Sequence, residues 1–330
     1  MKRLCIILFI LFAASALGVY TLGGDLLRRV QTIPLHNVQG RIDHMAINLK
    51  SRHLFVVALG NNSVEVLDLH AGKQIHRIGG LNEPQGVLYI PELNRIFVAN
   101  GGDGSCNIFD GTSFHMVDRL KFSNDADNVR YDTITRHVYV GYGNGGLGVI
   151  DSNNWKRIGN IQLAGHPESF QLEEAGPRIF VNVPTANHIA VVDRSKLTVI
   201  ATWPLVGVGA NFPMALDEAN HHLFIGCRQP PKIIVYDTES GKEVTRFDIA
   251  KDVDDIFYDS ARKRLYASCG EGFLNVYQQN EADHYTALLR IPTAAGARTS
   301  LFVQEQGRLY LAVPQRREQQ AEIRVYTVEP

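Results

Sequence analysis

The chain has 330 residues, 45% of them apolar and 20% charged, with a formal net charge of −1 at pH 7. This balance is typical of a folded globular protein. The lack of a basic excess argues against a dedicated nucleic-acid binder. The length exceeds that of most single domains, which favours a fold whose core is divided among repeated units.

The N-terminus has the three parts of a secretory signal peptide. Met1, Lys2 and Arg3 form a basic start, residues 4–12 are apolar, and Ala14-Ser15-Ala16 fits a cleavage pattern of small residues. The apolar run is shorter than the roughly 20 residues of a transmembrane helix. We predict a signal peptide over residues 1–16, export to the periplasm or beyond, and one mature domain over residues 17–330 without a transmembrane segment. An uncleaved N-terminal anchor is the alternative.

An aromatic residue within a short apolar run recurs along the rest of the chain. The seven copies are Phe55, Phe97, Tyr139, Phe180, Phe224, Tyr266 and Tyr310. Their spacings are 42, 42, 41, 44, 42 and 44 residues. A period in this range indicates the blades of a β-propeller or another repeat array, in which each unit needs its neighbours to bury its faces.

The first repeat shows what one unit contains. Four short strands, A to D, are predicted at residues 43–48, 54–59, 63–69 and 74–78, separated by polar or Gly- and Asn-containing turns. Strand B is almost continuously apolar, as a strand covered on both faces would be. Each unit is therefore predicted to be a four-stranded antiparallel sheet.

The last repeat lacks its fourth strand. Strands A, B and C are predicted at residues 300–303, 309–313 and 323–328, after which the chain ends. A spare strand, residues 29–35, precedes the first unit. Its addition to the last unit would close the ring and remove a free sheet edge. We predict an all-β, seven-bladed β-propeller of four-stranded antiparallel blades, closed by this N-terminal strand. An open solenoid is the alternative.

The mature chain keeps an odd and small number of cysteines, Cys106, Cys227 and Cys269. This count does not suggest a disulfide framework. Cys227 and Cys269 occupy equivalent positions in adjacent units, and equivalent strands of neighbouring blades are usually too far apart for a disulfide. We therefore favour free, buried thiols.

Two repeat cores carry a resemblance to a known family. Phe97-Val98-Ala99-Asn100, followed by Gly101-Gly102, and Phe180-Val181-Asn182 resemble the Tyr-Val-Thr-Asn core of the YVTN family of bacterial β-propellers, which includes YncE-like exported proteins. The copies ending in Cys227 and Cys269 lack the Asn. The resemblance covers essentially the whole mature chain. It implies the propeller fold and a binding role more than a particular chemistry.

The repeat register places polar residues at the mouth of the central channel. The position twelve residues before each aromatic holds Asp43, Gln85, Asp127, Glu168, Phe212, Asp254 and Arg298. The next position holds His44, Gly86, Asn128, Ser169, Pro213, Asp255 and Thr299. In the fifth unit, Asn211 stands just before Phe212. From these we take as ligand-binding candidates Asp43, His44, Gln85, Asp127, Asn128, Glu168, Asn211, Asp254, Asp255 and Arg298.

Converging carboxylate and amide oxygens favour a hard cation such as Ca²⁺. The predicted metal ligands are Asp127, Asn128, Glu168, Asn211 and Asp254. Among the histidines, His44 and His166 lie nearest the predicted mouth, and Arg228 stands in a B-to-C loop on the same face. A polyhydroxylated or cationic ligand is an alternative occupant. A further alternative is that the ring only caps turns and joins neighbouring strands.

Three functions remain open from the sequence. The first is an exported binding or scaffold protein, expected as a monomer, with a small molecule or an envelope protein as its partner. The second is a metal-dependent hydrolase of the lactonase type. The third is a protein-interaction platform without a small ligand. The sequence contains no Gly-x-Ser-x-Gly, His-Glu-x-x-His or Cys-x-x-Cys motif, so a serine hydrolase or a zinc protease is not supported.

Overall fold

The computed structural model describes residues 26–329, so the predicted signal peptide lies outside the described residues. These residues form seven sheets, each of four hydrogen-bonded strands. Every pairing between neighbouring strands is antiparallel. The predicted seven-bladed propeller is therefore confirmed. No helix in this described part is long and apolar enough to cross a bilayer.

The chain starts with β1 (Leu27–Pro34) and then forms one blade after another. The first three blades comprise β2 (Met45–Asn48), β3 (His53–Ala58), β4 (Ser63–Asp68) and β5 (Lys73–Ile78); β6 (Pro84–Ile90), β7 (Arg95–Asn100), β8 (Ser105–Asp110) and β9 (Met116–Lys121); and β10 (Ala126–Asp132), β11 (His137–Tyr142), β12 (Gly146–Asp151) and β13 (Lys156–Gln162).

The remaining blades follow the same order. They comprise β14 (Phe170–Leu172), β15 (Arg178–Val183), β16 (His188–Asp193) and β17 (Thr198–Pro204); β18 (Gly209–Asp217), β19 (His222–Gln229), β20 (Pro231–Asp237) and β21 (Glu243–Asp248); β22 (Val253–Asp259), β23 (Arg264–Cys269), β24 (Phe273–Glu281) and β25 (His284–Pro292); and β26 (Ser300–Val303), β27 (Arg308–Val313) and β28 (Glu322–Val328).

The seventh blade is completed by the N-terminal strand, as predicted. Its strand order is β1-β28-β27-β26. The pairing of β1 with β28 runs from Leu27 opposite Val328 to Pro34 opposite Glu322. This arrangement joins the two ends of the chain within one sheet and leaves no blade with an unfilled outer position.

The apolar core is divided into seven clusters, one between each pair of neighbouring blades. The B strands contribute to the clusters on both of their sides. In β3, Leu54 and Val56 pack towards the seventh blade, whereas Phe55 packs towards the second. Each blade thus depends on two neighbours to cover its faces.

The three cysteines within residues 26–329 are free and buried, which confirms the prediction made from their number and spacing. Burial raises the pKa of Cys227 and of Cys269 to about 12 and also raises the pKa of Cys106. All three thiols are therefore protonated at neutral pH and act as small apolar side chains.

The loops before the A strands and the loops after the B strands meet on one face, as predicted. In four blades, a glycine at the start of the B-to-C loop donates its backbone N–H to a carbonyl of the preceding D-to-A loop. These bonds are Gly60 to Arg41, Gly101 to Glu83, Gly143 to Asp125 and Gly270 to Asp252, with lengths of 2.8–3.0 Å. The repeated bond fixes both loops around the channel mouth.

Ring closure predicts unequal effects for two residues of β1. Ile33 is fully buried in the cluster between the first and seventh blades, whereas Val30 is 39% exposed. We expect Ile33→Ala to lower the free energy of unfolding by about 2–5 kcal/mol. Val30→Ala should change it by about 0.5 kcal/mol or less. Urea denaturation measures both, and similar losses would contradict a stabilising role for strand closure.

Candidate functional site

A polar cavity of about 190 Å³ lies at the channel mouth, where the D-to-A loops converge. Eight of the ten predicted ligand-binding residues line it. They are Asp43, His44, Gln85, Asp127, Asn128, Glu168, Asp254 and Arg298. The repeat register therefore brings these side chains to one place, although their role in binding remains a prediction.

The other two candidates lie beside the cavity. Asn211 is fully buried, and its amide donates to Oδ1 of Asn182 at 2.9 Å and to the carbonyl of His188 at 3.3 Å. Asp255 accepts a 2.7 Å hydrogen bond from the backbone N–H of Ser300. Burial raises the pKa of Asp255 to about 7, with a further contribution from the negative charge of Asp254 and an opposing one from His44.

The position of Asn211 has a simple physical reason. It stands thirteen residues before the repeat aromatic, where other blades carry Ile42, Ala126, Val253 and Ala297. These four are buried apolar residues of the inter-blade clusters. Because alternate residues of an extended segment point to opposite sides, this position faces the blade interior while the flanking positions face the channel.

The cavity includes six residues that were not among the ten candidates, and two of them, Ser169 and Phe212, stand at the two repeat positions considered above. Arg41, Asp125 and His166 stand fourteen residues before the repeat aromatics. Arg228, expected in a B-to-C loop, lies instead near the end of β19, because the pairing of β19 with β20 extends to Arg228 opposite Pro231. The alternation of an extended chain could have indicated the first three, since they lie two residues before Asp43, Asp127 and Glu168. His166 and Arg228 had been placed only near the mouth.

A local irregularity of the backbone changes the direction in which several of these side chains point. Residues at the same repeat position have positive φ in five blades, namely Glu83, Asp125, Ala210, Asp252 and Gly296, with φ between 43° and 83°. The strand register shifts next to this point in β6, β10, β18 and β22. Such β-bulges turn side chains towards the rim of a closed sheet structure.

Two arginines and two aspartates form an ion-pair network on one side of the cavity. Arg298 contacts Asp252 at 2.7 Å and Asp254 at 2.9 Å. Arg228 contacts the same two carboxylates, 3.5 Å from Asp252 and closer still to Asp254. Its guanidinium also stacks on Phe212, 3.9 Å from the ring centroid. The carboxylate of Asp254 is thus engaged by two cations rather than open to a metal ion.

A third ion pair extends this side of the cavity. Arg41 lies 2.7 Å from Oδ2 of Asp43, whose side chain is 3% exposed. Burial raises the pKa of Asp43 to about 6, and the charges of His44 and Arg41 oppose the rise. A neighbouring cavity of about 310 Å³ shares Arg41 and Arg298 as walls and adds Arg316. The channel mouth therefore has an arginine-rich side.

The opposite side combines carboxylates with an imidazole. Nε2 of His166 lies 4.0 Å from Oδ2 of Asp127, and its Nδ1 lies 3.5 Å from Asp125 and 2.6 Å from the carbonyl of Gly143. Burial disfavours the imidazolium, but Asp127 and the carbonyl of Gly143 raise the pKa of His166 to about 9. Burial and the charge of Asp127 raise the pKa of Glu168 to about 8.

Asp127 is the carboxylate at the centre of this group. Burial would raise its pKa, but His166, His44 and Arg41 hold it below its usual value. Its side chain is only 9% exposed. Within residues 26–329, Oδ1 of Asp127 and Oδ1 of the neighbouring Asn128 are buried without a hydrogen-bond partner. Oδ1 of Asn211 is also buried without a partner, but Asn211 does not line the cavity. Oδ2 of Asp43 and Oδ2 of Asp254 likewise accept no hydrogen bond, but each lies within 3 Å of an arginine.

The predicted metal set is only partly brought together. Among the described residues, one cluster of potential ligands consists of Asp127, His166 and Glu168, with one ligand atom of each within 4.8 Å of the others. Asn128 lines the same cavity, whereas Asn211 and Asp254 are engaged by the partners given above. The geometry adds an imidazole that the predicted all-oxygen set did not contain.

These features define the class of protein as a seven-bladed β-propeller with a charged channel mouth. A chain of Kuenenia stuttgartiensis hydrazine synthase is similar, with a TM-score of 0.75 and 14% identity over 84% of this chain and 94% of that chain. A chain of a mitotic checkpoint complex has a TM-score of 0.80 and 13% identity over 100% of this chain and 99% of that chain. At these identities the likeness shows the fold alone. No protein-family model matches the chain, and the search of curated proteins gives no match.

Gly86 allows the close approach of the second and third blades at the site. A Cβ at this position would lie 2.0 Å from the carbonyl oxygen of Asp127, whereas one at Gly79 would meet open space. We expect Gly86→Ala to displace Asp127 and to destabilise the fold by about 1–3 kcal/mol. Gly79→Ala is the control, with a change of about 0.5 kcal/mol or less. Equal stabilities in thermal denaturation would contradict this packing constraint.

The raised pKa of Asp255 predicts that the stability of the fold depends on pH. Because its pKa is raised to about 7 from 3.8, the folded state keeps a proton that the unfolded state releases above about pH 4. The protonated carboxyl of Asp255 therefore gives its full stabilising contribution below about pH 4. This contribution is lost as the pH rises through 7. We expect Asp255→Asn to have a higher melting temperature than the wild type at pH 8 and a similar one at pH 4. A lower melting temperature at pH 8 would contradict the raised pKa.

Proposed function

We propose that the protein is an exported β-propeller binding protein that holds a small polar ligand in the cavity at the channel mouth. The fold is consistent with a binding or scaffold role. The observation that carries the proposal is the pair of buried, unpartnered acceptors, Oδ1 of Asp127 and Oδ1 of Asn128, beside the cavity. A bound ligand would supply the missing donors or positive charge.

Leaving such buried atoms without a hydrogen-bond partner is energetically unfavourable. A buried polar group without a partner costs roughly 1–3 kcal/mol. Natural proteins retain few of them, and violations of this kind concentrate at functional sites. Two adjacent residues with the same defect, at a cavity that all seven blades line, are more simply explained by a ligand than by the needs of folding.

The cavity also limits the ligand. About 190 Å³ is less than the roughly 300–1,000 Å³ of pockets for drug-sized molecules. The walls present carboxylates on one side and arginines on the other. These features favour a small molecule with hydrogen-bond donors or a cationic centre, such as an amine, an amino acid or a polyol, rather than an apolar compound.

Membership of the YVTN family and export belong to the same proposal. The asparagine at the end of the family's core motif has a local role here. Nδ2 of Asn182 donates to the carbonyls of Phe212 at 3.0 Å and Pro213 at 3.2 Å. A residue of the fourth blade thereby holds β18, the innermost strand of the fifth. The signal-peptide pattern of residues 1–16 supports export to the periplasm or the extracellular space.

Asn128→Leu tests the binding proposal. Because it removes a buried unpaired carbonyl and keeps a similar volume, we expect the ligand-free variant to be at least as stable as the wild type. Thermal shift assays should include small amines, amino acids, hydroxy acids and monosaccharides. At least one compound should raise the melting temperature of the wild type and not that of the variant.

Asn280→Leu is the control for this assay, because Asn280 is exposed near the end of β24. It should leave ligand responses unchanged. A destabilised Asn128→Leu protein, together with no compound that distinguishes it from the wild type, would assign Asn128 a structural role and contradict the proposal.

A metal-dependent hydrolase of the lactonase type is the second candidate. It is favoured by the convergence of Asp127, His166 and Glu168, since a divalent ion held there would polarise an ester carbonyl. Hydrolysis of a panel of lactones, with and without added divalent ions, separates the two functions. Metal-dependent turnover that Glu168→Gln abolishes would favour the hydrolase, whereas ligand binding without turnover would favour the binding protein.

A further inference from the structure

Three side chains from two neighbouring blades face each other across the acidic side of the cavity. Asp127 belongs to β10 of the third blade, and His166 and Glu168 precede β14 of the fourth. One potential ligand atom from each lies within 4.8 Å of the others. None of the three is paired with the arginines of the opposite side, since Arg228 and Arg298 contact Asp252 and Asp254.

The imidazole of His166 is oriented as metal-binding imidazoles are. Its Nδ1 lies 2.6 Å from the carbonyl oxygen of Gly143. A carbonyl only accepts, so Nδ1 carries a proton and donates. Nε2 faces Oδ2 of Asp127 at 4.0 Å, and it can coordinate a metal ion that displaces its proton. Metal-ligating histidines commonly donate their other ring N–H to a backbone carbonyl or a carboxylate.

A second, independent observation points to a ligand at the same place. The Asp127 side chain is 9% exposed, and its Oδ1 has no hydrogen-bond partner within residues 26–329. The adjacent Asn128 is 2% exposed and also has a buried Oδ1 without a partner. The cluster is therefore more than a group of exposed acidic side chains.

We propose that Asp127, His166 and Glu168 form a three-ligand site for a divalent transition metal, best matched by Zn²⁺, with a further position open to the bound ligand. This inference rests on the proposed function, because the metal would anchor the ligand within the cavity. Two carboxylates balance the charge of the ion. Three protein ligands with an open position are typical of zinc sites that bind a water or a substrate.

The imidazole separates this proposal from the Ca²⁺ site expected from the sequence. Ca²⁺ takes six to eight oxygen ligands, whereas imidazole favours Zn²⁺, Cu²⁺, Fe²⁺ or Ni²⁺. Asp254, which would have contributed to an oxygen-rich set, is paired with two arginines, and Asn211 does not line the cavity. The ligands of a tetrahedral Zn²⁺ lie about 3.4 Å apart, so the side chains would close by about 1 Å around the ion.

Calorimetric titration of the full mature chain, first treated with a chelator, tests the site. We expect one equivalent of Zn²⁺ to bind and Ca²⁺ to bind at least about 100-fold more weakly. His166→Ala and Glu168→Gln should each weaken Zn²⁺ binding by about tenfold or more. His115→Ala, which removes an exposed imidazole, should bind Zn²⁺ like the wild type and thereby control for binding at surface histidines.

Two further measurements check the fold of each variant and the geometry of the metal site. Circular dichroism establishes that each variant is folded, and Glu168→Gln retains nearly the shape of the native side chain. Absorption of bound Co²⁺ should report a tetrahedral site in the wild type that is lost in Glu168→Gln. Zn²⁺ binding unaffected by both cavity variants, or Ca²⁺ binding as tight as that of Zn²⁺, would overturn the proposal.

The metal site and the binding function can fail separately. If a small ligand stabilises the chelator-treated wild type but not Asn128→Leu, and Zn²⁺ does not bind, the metal site is overturned and the binding function stands. If Zn²⁺ binds as expected but no small ligand does, the metal site stands and the binding function is contradicted. Ligand binding that requires Zn²⁺ supports both.

Discussion

The structure depends on the packing of apolar blade faces against each other around a closed ring. No blade can cover both of its faces alone, because its B strand is buried on both sides. Each of the seven apolar clusters therefore joins two blades. The ring closes only because β1 completes the blade formed by β26, β27 and β28. The fold has no single central core, and its axis is left to polar side chains.

That constraint explains how a charged site arises in a protein of ordinary composition. Equivalent positions of all seven blades approach one axis, so each loop needs to supply only one or two polar residues. The charges separate into the network of Arg228, Arg298, Asp252 and Asp254 on one side and the group of Asp127, His166 and Glu168 on the other. The first is internally paired. The second keeps a buried oxygen on Asp127 without a hydrogen-bond partner, and we propose that this part binds a ligand.

Most of the fold was predictable from the sequence because it follows from periodicity. The spacing of the aromatics determines the number of blades, and the spare strand before the first blade accounts for the closure. In the seventh blade, for example, β26 spans Ser300–Val303, which are the bounds predicted for its strand A. The register also brought eight of ten candidate residues to one cavity. Whether these residues bind a ligand stays a prediction.

The remaining details of the site depend on interactions that periodicity does not encode. The backbone turn at Asp125 and Asp252 directs side chains that a regular strand would point elsewhere. The capture of Asp254 by two arginines depends on the lengths and rotamers of side chains from three blades. Asn211 is buried beside the cavity and does not line it, because the alternation of an extended chain puts its neighbours Ala210 and Phe212 on the other side. The hydrogen bond from His166 to Gly143 joins two loops that are distant in sequence.

We propose that the ring of blades assembles a ligand-binding site at the channel mouth, with Asp127, His166 and Glu168 as its anchor. The most direct measurement is a crystal structure of the mature protein grown with Zn²⁺, with anomalous data collected on both sides of the zinc absorption edge. The account predicts one strong peak among these three side chains, with further density beside Asn128. Zinc found only at surface histidines, with Asp127 and Asn128 contacting ordered water alone, would contradict it.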